Sequence, residues 1–418
     1  MIKKHDLNFF GLLFFSLPLS IILGPSISLI NIFLFILIYF FKYFSKDHFK
    51  IILKDKTIVL LFLLNIYLVF NTIISIEPSN GIYRNIGFVR FILFFIAINY
   101  LFYLKKYDLS LFKVWAVIFF VFVFDVYFER FNGSNILGFG SLDQAYGPRV
   151  ISFFKDEPIA GAYLIGLLFI IAGYIFLNFK NRDKIYKIFS LIILLIFIIS
   201  VLVTGERSNT IKAFSGFLFL MFFLDYFKLR YKIIIIFSFF AIFLITIFNS
   251  SYMKSRYVSQ IYDLFSTKEI KSERDLSKIK YFKLYSSGLT VFKNYPLFGV
   301  GNKNYRIETC NNKNAVKFDY FCSTHPHQIY VEFLSEHGLI GSIILLSILF
   351  SLIFRILRKI IETKNYIQIG ALIYILINFN PMIPSGAFFS DFNITFYMIN
   401  LSLMYAVSNK TNIFERNN

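Results

Sequence analysis

The stretch of this chain best suited to proton transfer is Cys322-Ser-Thr-His-Pro-His-Gln-Ile-Tyr-Val-Glu-Phe-Leu-Ser-Glu-His-Gly-Leu-Ile-Gly341. Thr324 can cap a helix and Pro326 suits its first turn, so His327 is expected within that turn, where the helix dipole disfavours positive charge. A neutral imidazole is the form that accepts a proton, which points to general-base chemistry. Counted in helical steps from His327, Val331, Leu334, Gly338 and Gly341 share one stripe. Two glycines there would admit a neighbouring helix beneath the histidine. On periodicity alone, an interfacial histidine with no role reads equally well.

Oxyanion binding has separate candidates. Thr204-Gly-Glu-Arg-Ser-Asn209 is a tight turn between two apolar runs, where Glu206 and Arg207 are costly unless they face a polar cavity or each other. A fixed guanidinium grips phosphate with a two-pronged fork, whereas the plainer alternative is snorkelling into the headgroup layer. Two loops carry further arginines: Tyr146-Gly-Pro-Arg149 followed by Ser152-Phe-Phe-Lys-Asp-Glu-Pro158, and Tyr295-Pro-Leu-Phe-Gly-Val-Gly301 followed by Tyr305-Arg306. In the second, the glycines permit a sharp turn ahead of Cys310. Ser266 to Tyr281, with Lys268, Lys271, Arg274, Lys278 and Lys280, reads as a surface helix. It is either a solvated face or a positive surface that gathers an anionic, lipid-linked substrate. There is no Walker loop, dinucleotide fingerprint, Cys-x-x-Cys pair, zincin helix or nucleophile elbow, so neither energy coupling by ATP nor a structural zinc is expected.

The elements that must position these residues are set by composition. Of 418 residues, 57% are hydrophobic and 16% charged, with 43 Lys plus Arg against 24 Asp plus Glu for a net +19. An ordinary globular domain carries about 25% charged residues. Here the charges cluster between apolar runs of about 17 to 25 residues, a bilayer-spanning length, which excludes a soluble enzyme. Twelve helices are expected, at about 8–23, 27–44, 57–74, 86–103, 111–129, 158–178, 188–204, 211–227, 233–249, 328–354, 366–380 and 387–407. The first could pass for a signal peptide, but no small-residue cleavage site follows and a second apolar run begins after Gly24-Pro25-Ser26, so it is read as a span. Lys/Arg-rich connections alternate strictly with cation-poor ones, which sets both termini in the cytoplasm. The segments 131–158 and 250–324 then lie outside. Cys310 and Cys322, with eleven residues between them, both fall in the larger one. In an oxidising compartment they would close that excursion as a disulfide, the alternative being two free thiols.

His327-Gln328, nine residues, then Gly338-Leu-Ile-Gly341 fits a motif of the bacterial O-antigen ligase and polymerase superfamily: His, then Asn, Ser or Gln, nine residues, and Gly-x-x-Gly or Thr. Pro296-Leu-Phe-Gly-Val-Gly301 resembles a block that members carry before the histidine. Arg207 with Ile211 is similar to an Arg-x-x-x-Leu element, with Ile in place of Leu, and Arg149 through Leu164 resembles the segment leading into a central helix. The likeness spans the C-terminal two-thirds of the chain.

The resemblance implies an all-α, GT-C-like polytopic membrane protein of about twelve spans in the inner membrane, with a large periplasmic loop. Residues 1–130 would form N-terminal spans and 131–418 the catalytic membrane domain, including loop 250–324. Its partners would be an undecaprenyl-diphosphate-linked glycan, a lipid A core or glycan acceptor, and membrane lipid, with no nucleic acid and no metal. Transfer would be inverting at the periplasmic face, with His327 as base and Arg207 on the departing diphosphate. His325, Gln328 and Arg149 are further substrate-binding candidates. Members carry another functional arginine at a position that is Tyr281 here, so the second phosphate ligand is sought among Arg274, Lys280 and Arg306, with Arg306 first. A ligase is favoured over a polymerase joining repeat units. A transporter or flippase of lipid-linked sugars is the competitor from another class, disfavoured by spans nearly free of charge at mid-depth and by a largest loop that falls outside and off-centre.

Overall fold

The computed structural model describes residues 4–140, 149–155, 157–225, 227–262 and 279–415. Every regular element among them is helical. In chain order these are α1 (Lys4–Ile22), α2 (Pro25–Ile38, continued by a π turn to Tyr43), α3 (Lys46–Lys54), α4 (Lys56–Ile73), α5 (Ile82–Ile86), α6 (Val89–Leu104), α7 (Phe112–Asn132), α8 (Ala160–Phe179), α9 (Lys184–Val203), α10 (Arg207–Phe223), α11 (Leu229–Phe248) and α12 (Ser251–Lys254). There follow α13 (Lys280–Asn294), α14 (Tyr305–Thr309), α15 (Asn312–Phe318), α16 (Ile329–Thr363), α17 (Tyr366–Asn378) and α18 (Asp391–Ala406).

A helix stands at each of the twelve expected stretches, and eight helices among the described residues are long and apolar enough to cross a membrane. The chain is an all-α polytopic membrane protein. Length explains the architecture: a backbone in hydrocarbon must satisfy its own hydrogen bonds, and a helix of about 20 residues does so across the whole layer. At its centre lies α8, buried along nearly its whole length from Ala160 to Phe176. Its tightest neighbour is α17, because a Cβ on Gly173 would lie 2.1 Å from the Tyr366 carbonyl oxygen and one on Gly370 would lie 2.0 Å from that of Phe169. Backbone meets backbone only because both residues lack side chains. By contrast α11 buries only Phe239 and Ile247 and leaves the rest of its apolar surface outward.

The connections gather into two groups. At one end, Ile76 N donates to Val300 O, Val150 N to Thr204 O and Ser385 N to His327 O, so residues 74–88, 149–155, 204–206, 295–301, 327–328 and 379–390 converge. At the other end, Asp225 pairs with Lys180 and Lys364, and Asn365 Nδ2 donates to Val407 O. The Lys42–Lys56 connection is itself helical over α3, capped by Ser45 at its start. Cys310 and Cys322 are joined as a disulfide.

Candidate functional site

His327 sits one residue outside its helix. α16 begins at Ile329, and the cap is Gln328, whose Oε1 accepts from Val331 N at 2.8 Å. Thr324 does not cap it, and the expected placing of His327 within the first turn is corrected: its φ of +58° is left-handed and ends the preceding loop. The reason is that a glutamine two residues past Pro326 closes the helix start on itself. The other end of Gln328 donates to Pro381 O, so this amide is engaged within the protein at both ends.

Around His327 stand His325, with ring centroids 4.0 Å apart, and Tyr281, whose ring is perpendicular at 6.4 Å. Burial and the nearby Lys280 ammonium lower the His327 pKa, opposed by the Ser385 backbone. Burial together with His327 and Lys303 pushes His325 down to about 3. Both rings are therefore neutral at neutral pH, which is the state a base requires. Lys280 and Tyr281 reach the histidine because α13 lies tightly on the start of α16: a Cβ on Gly288 would lie 2.3 Å from Val331 Cγ1 and 3.1 Å from Pro326 Cβ.

At Gly338 the stripe of glycines serves differently from the expectation. α16 is broken at Gly338, with φ +65° and ψ −168°, and what approaches there is a loop and not a helix. In an unbroken helix Leu339 N would bond Ser335 O and Ile340 N would bond Glu336 O. Instead Leu339 N donates to Pro296 O and Ile340 N to Leu297 O, while Ser335 O accepts from Val300 N and Glu336 O from Gly301 N, at 2.8–3.1 Å. The segment Pro296–Gly301 thus inserts into the break and satisfies all four freed groups, as buried backbone requires. A Cβ on Gly338 would lie 2.3 Å from the Leu297 carbonyl carbon, and one on Gly299 would lie 2.3 Å from that of Glu336. Asn71 of α4 locks the insert, donating to Phe298 O and accepting from Asn302 N. Gly341 admits the Tyr67 hydroxyl, which contacts His337 Nδ1 at 3.2 Å.

On the other flank is a group of arginines. The Thr204–Asn209 turn is pinned by Glu206, which accepts from Gly161 N and Asn209 Nδ2 at 2.6 Å each. Glu206 and Arg207 therefore face different partners and not each other. Arg207 donates through Nε to Arg256 O and through Nη2 to Gln260 Oε1, and Arg256 donates back to Gly205 O. Asp125 and Glu129, one turn apart on α7, fix the segment after Arg149 by accepting from Ser152 Oγ, Ile151 N and Ser152 N. Arg149, Arg207 and Arg256 lie within electrostatic reach of one another, and Tyr281 lies within that of Arg207. Three guanidiniums within reach of one another repel, and an anion among them would offset that repulsion.

Of the expected site residues, His325, His327, Gln328, Lys280, Arg149 and Arg207 fall in this neighbourhood. Arg306 does not: it is exposed on α14, and no contact among the described residues joins it to the arginines. Arg274 and most of the helix expected over 266–281 lie outside the described residues. Sequence reasoning missed Arg256, which carries no local motif, and took Tyr281 only as a lost arginine.

Residues 192–346 match the family model described as O-antigen ligase, a stretch running from α9 past Gly341. Through that segment the chain is similar to the O-antigen ligase and polymerase superfamily. The match takes in Arg207, Arg256, Tyr281 and His327, while Arg149 falls outside it, so it is narrower than the likeness read from the residues. A search of curated proteins returned no match. The family supports activity of the ligase or polymerase type on lipid-linked glycan and acceptor substrates.

Proposed function

We propose that this chain is an inverting glycosyltransferase of the inner membrane, moving a glycan from undecaprenyl diphosphate to a lipid A core hydroxyl at the periplasmic face. The acceptor hydroxyl gives its proton to His327 as its oxygen bonds the anomeric carbon. The bond from that carbon to the diphosphate oxygen breaks, and its electron pair leaves with the diphosphate. Arg207, Arg256 and Arg149 offset the growing negative charge. The observation that carries this reading is Tyr281, whose ring centre lies 6.4 Å from that of His327 and which is also within electrostatic reach of Arg207. It links the proposed base with one of the proposed cations.

Polymerisation of repeat units is the second reading, because it uses the same donor and the same residues. A strain lacking the gene separates the two. Long polymer accumulating on the carrier beside bare surface lipid identifies a ligase. Surface lipid bearing a single repeat unit, with long carrier-linked chains missing, identifies a polymerase. Purified protein in detergent should transfer glycan without an ion gradient and in the presence of a chelator. A divalent-ion requirement would overturn the leaving-group assignment.

A further inference from the structure

The short helix α3 joins two spans almost without slack. Only Phe44 and Ser45 separate it from the end of the α2 span at Tyr43, and only Asp55 separates it from α4; both neighbours are long and apolar enough to cross a membrane. Its two ends are therefore held at one membrane surface. Nine residues rise about 13 Å, so α3 runs along that surface and cannot reach away from it.

Three sets of side chains, each spaced four residues apart, divide its circumference. His48 and Ile52 face the bundle: Ile52 is buried, His48 Nδ1 contacts Tyr43 O at 2.9 Å, and the imidazole lies 4.8 Å from the Tyr100 ring and 5.4 Å from that of Phe414. Phe49 and Leu53 come next, 50% and 60% exposed, with Phe44 edge-on to Phe49. Lys46, Lys50 and Lys54 follow beyond them, all exposed, and Lys42 and Lys56 stand at the adjoining span ends. Two carboxylates lie in the same segment. Asp55 is buried and accepts from Thr57 N and Ile58 N, while Asp47 meets Lys50 at 3.6 Å with both side chains largely exposed. An exposed pair of that kind holds little energy, so the arc of Lys46, Lys50 and Lys54 keeps most of its positive field.

We propose that α3 is an interfacial helix that binds anionic phospholipid, with Phe49 and Leu53 at the edge of the acyl chains and Lys46, Lys50 and Lys54 on the headgroup phosphates. The tethers at both ends commit the outward surface to the headgroup layer, and an apolar arc beside a basic one selects anionic heads within it. The inference goes beyond glycosyl transfer and does not depend on it.

The test uses the full chain reconstituted in phosphatidylcholine vesicles that hold a minor share of either brominated phosphatidylglycerol or brominated phosphatidylcholine, bromine being a contact quencher of tryptophan. The chain has one native tryptophan, Trp115, and it is buried, so Phe49→Trp adds a reporter on the apolar arc with wild type as the blank. Leu53→Trp is a second reporter on the same arc should the first fail to fold. At equal share, brominated phosphatidylglycerol should quench roughly fivefold more strongly than brominated phosphatidylcholine, the worth of about one lysine at an anionic surface, and added salt should narrow the difference. Lys46→Gln, Lys50→Gln and Lys54→Gln together should make the two lipids equal while both still quench. Equal quenching without those substitutions would mean that α3 touches lipid with no preference for charge, and quenching by neither lipid would mean that protein covers the arc. A preference that survives the three glutamines would place the anionic site elsewhere. Each of these three results overturns the proposal.

Discussion

An imidazole ordinarily titrates near pH 6.5, and at His327 burial and the Lys280 ammonium move it lower. If the unprotonated ring is the base, transfer falls on acidification, with a midpoint below the ordinary histidine value. Lys280→Gln removes a cation and moves that midpoint up; a kcat–pH profile identical in wild type and variant would remove Lys280 from the site. His327→Ala should cost about 10²–10⁴-fold in kcat, the usual worth of a general base. Arg207→Ala and Arg256→Ala should each cost about 10²-fold or more, as loss of one oxyanion-stabilising donor does. All three should insert at wild-type levels, and near-normal turnover by any of them would end the role given to that residue. The sequence makes His327 and Arg207 legible because each sits in a local pattern with its own chemistry. Arg256 is one cation among many in a long polar segment, and only the turn at α12 brings it beside Arg207. Arg306 lies four residues before Cys310 in the chain, and that nearness decides nothing about where its side chain lies.

Helices were read from apolar run length, and that signal is insensitive to a single break inside a run. Gly338 and Gly341 could be read as a place of close approach, but not as the point where α16 opens for Pro296–Gly301. The evidence for that lies in paired losses and gains of backbone hydrogen bonds, which no spacing records. Gly338→Ala therefore meets two obstacles: a left-handed φ that costs about 1–3 kcal/mol for a residue with a side chain, and a Cβ 2.3 Å from Leu297. Its thermal midpoint in detergent should drop well below that of wild type, and an unchanged midpoint would mean the insert is not part of the native packing. Glu332 gives a subtler test of the same element. Both its oxygens accept from Phe388 N at 3.0 and 3.1 Å, which holds the loop carrying Ser385 over His327. Glu332→Gln keeps an oxygen acceptor and should retain most of the activity, while Glu332→Ala should lower kcat about tenfold, on the scale of one lost buried hydrogen bond. Equal loss in both variants would point to the charge and not to the tether.

Over the whole molecule, a net charge of +19 is distributed by side, and the side can be measured. The two sets of connections that alternate along the chain hydrogen-bond among themselves at opposite ends of the bundle, and Asp225 with Lys180 and Lys364 marks the end away from His327. The positive-inside rule would keep the cation-rich connections on the cytoplasmic side, because moving them across during insertion is costly, and would let a long polar segment such as 250–324 cross despite its lysines. A reporter active only outside the cytoplasm should work when fused at Asn311 or Met382 and fail at Asp47 or Arg182. The Cys310–Cys322 disulfide, which persists where the compartment is oxidising, should correspondingly resist labelling by a thiol reagent until reduced. The reverse pattern of fusions would put His327 and the arginines in the cytoplasm, where Cys310 and Cys322 would be kept as thiols. Orientation and disulfide would then fail together, because both depend on which side of the membrane receives the loop.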